Sequence, residues 1–233
     1  MQDLTTEICK SVTTATATTG NNYQLVDARD GKAYYVAKLA DGNCWMTQNL
    51  DYNDPASEIR TGTTRPTSWV GSSSNYNVRE YWDPGERVVS GTALVAATNS
   101  TDKHSLVGNY YSWESATNGT GNAITSGEAS SSICPAGWQL PTSNNSNNGS
   151  FGKLTSGLNF TTIQAAPYYF QTGGYVDSGS LNTVGTDGYY WSSTARNANN
   201  AYSLRIYSGG VNPSFNSLNR SIGMPVRCLV LGS

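Results

Sequence analysis

Residues 188–231 read GYYWSSTARNANNAYSLRIYSGGVNPSFNSLNRSIGMPVRCLVL, and short apolar segments alternate there with runs of Asn, Ser and Gly. The apolar segments at 189–191, 202–207 and 226–231 have the β-branched and aromatic composition that is typical of strands. The segments between them, 192–201 and 208–225, show no periodicity. The stretch therefore predicts three strands separated by two long polar loops.

The charge pattern of this stretch is unusual for exposed loops. From residue 188 onward there is no Asp, Glu or Lys, and the only charged side chains are those of Arg196, Arg205, Arg220 and Arg227. Tyr, Ser, Gly, Asn and Arg are enriched in antibody combining sites, because aromatic rings supply contact area and small polar groups adapt their hydrogen bonds. A polar loop that merely tolerates substitution has a similar composition. Composition alone therefore leaves a binding face and an inert loop both open.

The overall composition excludes several classes of protein. The chain has 233 residues, of which 13% are charged, about half the usual share. A net charge of −2 gives no reason to expect nucleic acid as a partner, and no apolar window reaches the roughly 18 residues that cross a membrane. Six Trp and fifteen Tyr exclude a disordered chain. Neither nucleic-acid binding nor direct membrane insertion is predicted.

The four cysteines are widely spaced and include no CxxC pair, which disfavours a zinc cluster or a redox pair. Two disulfides are predicted instead, and oxidised cysteines place the protein outside the cytoplasm. Three pairings are open. We favour Cys9–Cys44, which ties an N-terminal segment (residues 1–22) to the hairpins that follow. The second disulfide would then be Cys134–Cys228, which ties the last strand to the middle of the chain.

Local patterns predict further elements. Asp-Gly turns at residues 30–31 and 41–42 join short alternating segments, so residues 23–50 are predicted to form a compact β unit. Turn-forming residues dominate 51–127, where only the apolar patch at 108–113 predicts a buried strand or the start of a helix. Residues 151–158 carry the apolar spacing of a short amphipathic helix.

Candidate chemical groups are sparse. Asp51, Asn53, Asp54 and Glu58 offer oxygen ligands for calcium, but their spacing lacks the alternation and central Gly of an EF-hand loop, so no metal site is predicted. His104 is the only histidine and has no nucleophile motif beside it. No catalytic residue and no cofactor are predicted.

Three motifs carry a family resemblance: LADGNCWMTQNL at 39–50, ICPAGWQLPT at 133–142, and GYYWSST…NAYSLRIY…GMPVRCL at 188–229. In this order they resemble the Fibrobacter succinogenes major paralogous domain, a branch of the C-type-lectin-like fold. The resemblance covers residues 23–231 and implies a single domain with a loosely matched insert at 51–127. It implies an α+β fold of small twisted antiparallel sheets, one or two short helices and long irregular loops. The N- and C-terminal strands would pair side by side.

The C-terminal part, 188–231, also resembles the variable region of proteins diversified by retroelements, in which mutagenesis of Asn codons alters a ligand-binding face. Trp191, Leu204, Ile206, Val226 and Cys228 would then form a fixed frame. The candidate ligand-binding residues that the resemblance implies are Arg196, Asn197, Asn199, Asn200, Ser203, Arg205, Tyr207, Ser208, Ser214, Phe215, Asn216, Ser217, Leu218, Ser221 and Ile222.

These observations favour a receptor- or adhesin-like protein without enzymatic activity, located extracellularly or on a cell or virion surface. Its partner would be a protein or another cell-surface ligand. The alternative is a calcium-independent carbohydrate-binding module without diversification, with Trp69, Trp82 or Tyr207 as the stacking platform, since the Glu-Pro-Asn, Gln-Pro-Asp and Trp-Asn-Asp motifs of calcium-dependent lectins are absent. An enzyme of the formylglycine-generating type is less favoured, because its reactive cysteine pair has no match here.

Overall fold

The computed structural model of the chain describes residues 1–18, 23–52, 108–178 and 180–232, and, between residues 53 and 107, the backbone of four short strands. Small, mostly antiparallel sheets and a few short helices make up these parts, which confirms the predicted α+β class. The helices are α1 Thr6–Ser11, α2 Trp113–Ala116, α3 Ser150–Thr155 and α4 Phe160–Gln164, and a 3₁₀ turn spans Thr120–Ala123. Within the described ranges, none of the helices has the length and apolarity needed to span a bilayer.

The strands are short and belong to five sheets within the described parts of the chain. They are β1 Tyr23–Val26, β2 Ala33–Lys38, β3 Cys44–Met46, β4 Glu58–Arg60, β5 Ser74–Asn77, β6 Arg87–Ser90, β7 Ala93–Ala96, β8 Asn109–Tyr111, β9 Gly127–Glu128, β10 Tyr175–Asp177, β11 Ser180–Asn182, β12 Gly188–Ala195, β13 Ala201–Tyr207, β14 Gly210–Phe215 and β15 Leu229–Val230. The two four-stranded sheets have the orders β1-β2-β3-β15 and β14-β13-β12-β9. The others are β4-β5-β8, β6-β7 and β10-β11, and the pair β4–β5 is parallel.

The first sheet contains the predicted β unit and the last strand of the chain. The strand β15 pairs antiparallel with β3, where Leu229 lies opposite Trp45. The expectation that the first and last strands pair with each other is wrong, because β1 and β15 occupy opposite edges of this sheet. The strand β1 is mostly exposed, whereas β3 is fully buried and offers the last strand an apolar neighbour.

The motif at 39–50 builds a tight connection between β2 and β3. The Asp41 carboxylate accepts hydrogen bonds from the side-chain amide of Asn43 at 2.7 Å and from the Trp45 indole at 3.0 Å. The indole is thereby fixed in the core, 5.9 Å from the ring of Phe151. Gly42, between Asp41 and Asn43, has φ +83°, a backbone conformation that other residues rarely adopt.

The motif at 133–142 joins the two four-stranded sheets. The backbone of Gln139 exchanges hydrogen bonds of 2.9 and 3.0 Å with Leu229 of β15. Two residues later, the carbonyl of Pro141 accepts a hydrogen bond of 2.8 Å from the backbone of Ser193 in β12. The segment therefore fixes the position of β12 relative to the first sheet.

Both disulfides that the sequence favoured are confirmed. Cys9 is bonded to Cys44, with 5.8 Å between the Cα atoms, and Cys134 is bonded to Cys228, with 5.7 Å between them. The first bond ties α1 to β3, and the second ties the segment before Trp138 to the strand end before Leu229.

The core lies on both faces of the second sheet. Trp191 and Met224 belong to one apolar cluster, and Tyr190, Leu204 and Ile206 belong to another. The five residues expected to form a fixed frame, Trp191, Leu204, Ile206, Val226 and Cys228, are all fully buried.

The predicted elements agree with the structure in part. The apolar patch at 108–113 forms β8 and the start of α2, and the predicted helix forms as α3 over residues 150–155. Two predictions need correction. The segment 192–201 is not a loop throughout, because β12 continues to residue 195, and the segment 208–225 contains the strand β14.

Candidate functional site

The candidate face is built on three antiparallel strands, β12, β13 and β14. Tyr189 of β12 lies opposite Arg205 of β13, and Arg205 lies opposite Asn212 of β14. Because side chains alternate across a strand, Arg205 and Tyr207 share the face opposite to the buried Leu204 and Ile206. The sheet therefore has one core face at Leu204 and Ile206. The opposite face is polar and aromatic around Arg205 and joins the apolar cluster of Trp191 further along the strands.

An arginine surrounded by aromatic rings occupies this face. The guanidinium carbon of Arg205 lies 4.3 Å from the ring centroid of Tyr207, 5.3 Å from that of Phe215 and 5.7 Å from that of Tyr189. Tyr189 is in turn 5.6 Å from Phe215 and 5.2 Å from Tyr175 of β10, measured between ring centroids. We refer to Tyr175, Asp187, Tyr189, Arg205, Tyr207 and Phe215 as the arginine–aromatic cluster.

The hydrogen bonds of Arg205 are few. Its Nη2 atom donates to the Asp187 carboxylate at 3.4 Å, which is a long contact. Its Nε atom is buried and finds no hydrogen-bond partner in the described parts of the chain. An unsatisfied buried donor costs about 1–3 kcal/mol, and the contacts of Arg205 with the three rings and its ion pair with Asp187 offset that cost.

The neighbouring phenol of Tyr189 remains protonated near neutral pH. Burial, together with the negative charge of Asp187 and against the opposing effect of Arg205, raises the pKa of Tyr189 to about 12. The phenol lies 3.5 Å from the Asp187 carboxylate. The cluster therefore contains one cation, one anion and neutral aromatic groups.

A second group of candidate residues lies at the β12–β13 turn. The Arg196 side chain donates to the carbonyl of Asn216 at 3.1 Å, and the Asn199 carbonyl accepts a hydrogen bond of 2.9 Å from the backbone of Arg220. These contacts hold the turn at 196–200 against the loop at 216–222. We refer to these two segments together as the asparagine loops.

Arg220 fixes these loops from beneath. Its guanidinium lies 4.2 Å from a ring centroid of Trp113 and donates to the carbonyls of Gly121 at 3.1 Å and Ile124 at 2.9 Å. It also donates to the carbonyl of Asn197. Arg220 is therefore a structural residue, and the sequence did not distinguish this role.

The predicted contact residues fall into three exposure classes. Arg196, Asn197, Asn199, Ser208 and Ser217 are exposed. Eight residues are half-buried: Asn200, Arg205, Tyr207, Ser214, Phe215, Asn216, Leu218 and Ser221. Ser203 and Ile222 are buried, with exposed fractions of 1% and 6%.

The last two assignments are corrected by the geometry. Ser203 lies in the middle of the sheet between Trp191 and Phe215, where its hydroxyl group donates to the Phe215 carbonyl at 3.3 Å. The apolar side chain of Ile222 belongs to the cluster that contains Trp191. Neither residue contacts solvent enough to touch a ligand in this conformation, and we remove both from the candidate set.

Two further predicted contacts lie apart from the cluster. The Ser214 hydroxyl group is hydrogen-bonded to the carbonyl of Asn144 and to the side chain of Asn147, so it faces the loop before α3. Ser208 lies in the β13–β14 turn, at the opposite end of the strands from the asparagine loops. The candidate binding face therefore contains fewer of the predicted contact residues than the sequence implied.

Sequence reasoning missed three members of the cluster. Tyr189 alternates with the buried Tyr190, and this position in the strand could have placed it beside Arg205. Asp187 is the last acidic residue before the stretch that lacks acids. No sequence pattern indicated Tyr175, because this residue of β10 reaches the cluster through a long-range contact with Tyr189.

The remaining groups considered from the sequence concern metal binding, catalysis and sugar stacking. In the described ranges, no three or more His, Cys, Asp or Glu side chains come together as metal ligands. Asn53, Asp54, Trp69, Trp82 and His104, together with the side chain of Glu58, lie outside the described residues.

Comparison with known proteins identified no relative, since no family model, no curated protein and no solved structure matches the chain.

Proposed function

We propose that this chain is a ligand-binding protein, receptor- or adhesin-like, whose binding face is the arginine–aromatic cluster with the adjoining asparagine loops. The observation that carries the proposal is the state of Arg205, which is flanked by three aromatic rings and uses few of its donors. Arg and Tyr are enriched among the residues that dominate binding energy at protein interfaces. A partner that supplies acceptors completes the hydrogen bonding of this side chain.

A comparison within the chain supports a binding role rather than a folding role for Arg205. Arg227 also stacks on an aromatic ring, 4.1 Å from the Phe170 centroid, but it is fully buried. All three of its nitrogen atoms donate, to Asn49 at 2.8 Å and to the carbonyls of Tyr168 and Tyr169. Arg205 is half-buried, and the parts of the chain that the structure describes give it no such set of acceptors.

The chemistry of the face indicates the kind of ligand. A guanidinium group binds carboxylates and carbonyls through its planar donors, and Tyr207 and Phe215 offer apolar contact on either side. The ligand is therefore a protein or cell-surface molecule that presents an acidic or carbonyl group next to an apolar one. No catalytic residue is assigned.

The finer proposals follow from the resemblance of the sequence motifs. We take residues 23–231 to be a single domain of the C-type-lectin-like fold, and the half-buried and exposed positions of 188–231 to be diversified by a retroelement. The buried frame of the strands supports this, because it separates positions that tolerate change from positions that do not. Two disulfides support an extracellular, cell-surface or virion-surface location.

A peptide selection tests the proposal. A phage-displayed random peptide library is panned in parallel against the protein and against Arg205→Met, which keeps most of the side-chain volume. We expect the unaltered protein to enrich acidic peptides whose affinity falls at least tenfold with Arg205→Met. The exposed Asn145→Ala, on the loop before α3, is the control and retains binding. Peptides that bind Arg205→Met equally well would contradict the proposal.

A further inference from the structure

The anion of the arginine–aromatic cluster is Asp187, which precedes β12. Its carboxylate lies 3.4 Å from Nη2 of Arg205, and no other acidic side chain in the described parts of the chain forms an ion pair with this arginine. From residue 188 to the end of the sequence there is no Asp or Glu. The positive charge at the centre of the binding face is therefore offset by one negative charge beside it.

Both charges are partly shielded from water. The side chain of Arg205 is 29% exposed, and that of Asp187 is 13% exposed. The rings of Tyr207 and Phe215 flank the guanidinium group, with centroids 4.3 and 5.3 Å from its carbon atom. Partly buried charges are screened less than exposed ones. A ligand group that reaches Arg205 therefore also experiences the charge of Asp187.

The ion pair is loosely closed. Its separation of 3.4 Å exceeds the roughly 2.7–2.9 Å of a strong charge-assisted hydrogen bond. Within the described residues, the other contact of the Asp187 carboxylate is with the Tyr189 phenol, at 3.5 Å. An ionised carboxylate accepts about four hydrogen bonds. Asp187 therefore has few donors, just as Arg205 has few acceptors.

A second ion pair in the chain shows the closed alternative. Arg29 donates to the Asp27 carboxylate from Nε at 3.0 Å and from Nη2 at 2.6 Å, and the Gln2 amide donates to the same carboxylate at 2.8 Å. The Asp27 side chain is fully buried. Arg205 makes no such bidentate contact in the described ranges, where its Nε atom finds no partner. The Arg205–Asp187 pair therefore retains hydrogen-bonding capacity on both partners.

We infer that Asp187 determines the specificity of the binding face: it admits a peptide segment that carries a single carboxylate and excludes phosphorylated or sulfated segments. The inference rests on the proposed function, because it concerns the same face. An acidic residue within a peptide supplies a carboxylate to Arg205 and a main-chain N–H to Asp187. Both partners of the loosely closed pair are then satisfied.

Phosphate and sulfate groups do not meet both conditions. A phosphate monoester carries a charge of about −1.5 to −2 at pH 7 and offers acceptor oxygen atoms. It is attracted by Arg205 but repelled by Asp187 in proportion to its larger charge, and as a dianion it brings no donor for the Asp187 carboxylate. A single carboxylate experiences a smaller repulsion. Asp187 is therefore a specificity-determining residue rather than a further anchor.

The test compares two forms of one peptide. An acidic peptide whose binding depends on Arg205 is synthesised as selected and with phosphoserine in place of the acidic residue, and the dissociation constants of both forms are measured by calorimetry. We expect Asp187→Asn to shift the ratio of the two constants at least fivefold in favour of the phosphorylated form. Asp187→Ser, a second neutral variant, should give the same shift. Asp3→Asn removes one charge from an exposed position before α1 and is the control, with an unchanged ratio.

Each contrary result has a distinct meaning. An unchanged ratio, or an equal loss of affinity for both forms in the two Asp187 variants, overturns the inference and leaves the proposed function standing. Tighter binding of the phosphorylated form by the unaltered protein also overturns it and makes the face a phosphate site. If no peptide depends on Arg205, the proposed function fails and the inference fails with it. Thermal melting of each variant shows that a change in affinity is not a loss of fold.

Discussion

Three arginines of the C-terminal stretch differ in the surroundings of their guanidinium groups. Within the described residues, Arg205 has aromatic neighbours and few acceptors, and Arg227 is fully buried without a carboxylate partner. Arg220 is hydrogen-bonded to backbone carbonyls beneath the asparagine loops. Burial lowers the pKa of Arg227 to about 10. At neutral pH this side chain is still charged, and its cost of burial is offset by the oxygen atoms around it.

At this scale we expect Arg227 and Arg205 to differ in their effect on stability. Arg227→Met removes from the core three hydrogen bonds, one to the side chain of Asn49 and two to the carbonyls of Tyr168 and Tyr169. The free energy of unfolding should fall by about 3 kcal/mol or more. Arg205→Met should change it by no more than about 1 kcal/mol. Urea denaturation of both variants checks this, and equal losses would assign the two arginines the same role.

At the scale of elements, β14 and the end of β12 lie in polar segments that the sequence predicted to be loops, and there is a physical reason for this. β14 reads GVNPSF, which has no apolar alternation and includes Pro213. As an edge strand it tolerates a proline, because a missing N–H on the outer side breaks no ladder bond. The extension of β12 through Ser192 and Thr194 was also unexpected, since small polar residues are buried there. Their hydroxyl groups are satisfied by the carbonyl of Tyr202 and by Glu128.

The loop at 216–222 gives an element-scale prediction. Leu218 and Ile222 are both aliphatic, but Leu218 is half-buried and Ile222 is 6% exposed. Ile222→Ala should lower the free energy of unfolding by about 2–4 kcal/mol, because it leaves a cavity beside Trp191. Leu218→Ala should cost no more than about 1 kcal/mol. Thermal melting measures both, and a larger loss for Leu218 would reverse our assignment of the loop's inner side.

On the scale of the whole molecule, the sequence predicted what depends on composition and on covalent pairing. The α+β class, both disulfides and the buried frame around Trp191 were predictable. The cluster was predicted only in its local part, because Arg205, Tyr207 and Phe215 lie near each other along the chain. Tyr175 and Asp187 reach it through the placement of β10 and the start of β12. Such contacts depend on the tertiary arrangement, which no local pattern encodes.

Alkaline pH should unfold the protein cooperatively. Burial raises the pKa of Tyr34, Tyr110, Tyr111 and Tyr190 above the ordinary value near 10, and that of Tyr189 to about 12. The unfolded chain releases these protons first, so the stability they contribute is complete below pH 10 and is lost as the pH rises above it. The lowered pKa values of Arg220 and Arg227 act in the opposite direction, but they are two groups against these five tyrosines.

Tyrosinate absorbance and circular dichroism, followed together between about pH 9 and pH 12, measure this loss. We expect the buried tyrosines to ionise in the same transition in which the sheets unfold. Ionisation near pH 10 without a change in circular dichroism would show that these phenols are accessible in the folded state.

The bond between Cys134 and Cys228 also has a mechanical consequence. It closes a covalent loop around residues 135–227, and the arginine–aromatic cluster and the asparagine loops lie wholly inside that loop. Tension that travels along the chain crosses from Cys134 to Cys228 through the sulfur atoms and bypasses the loop. When the chain is pulled at points before Cys134 and after Cys228, the backbone of β12, β13 and β14 therefore lies outside the covalent path of the load for as long as the bond stays oxidised.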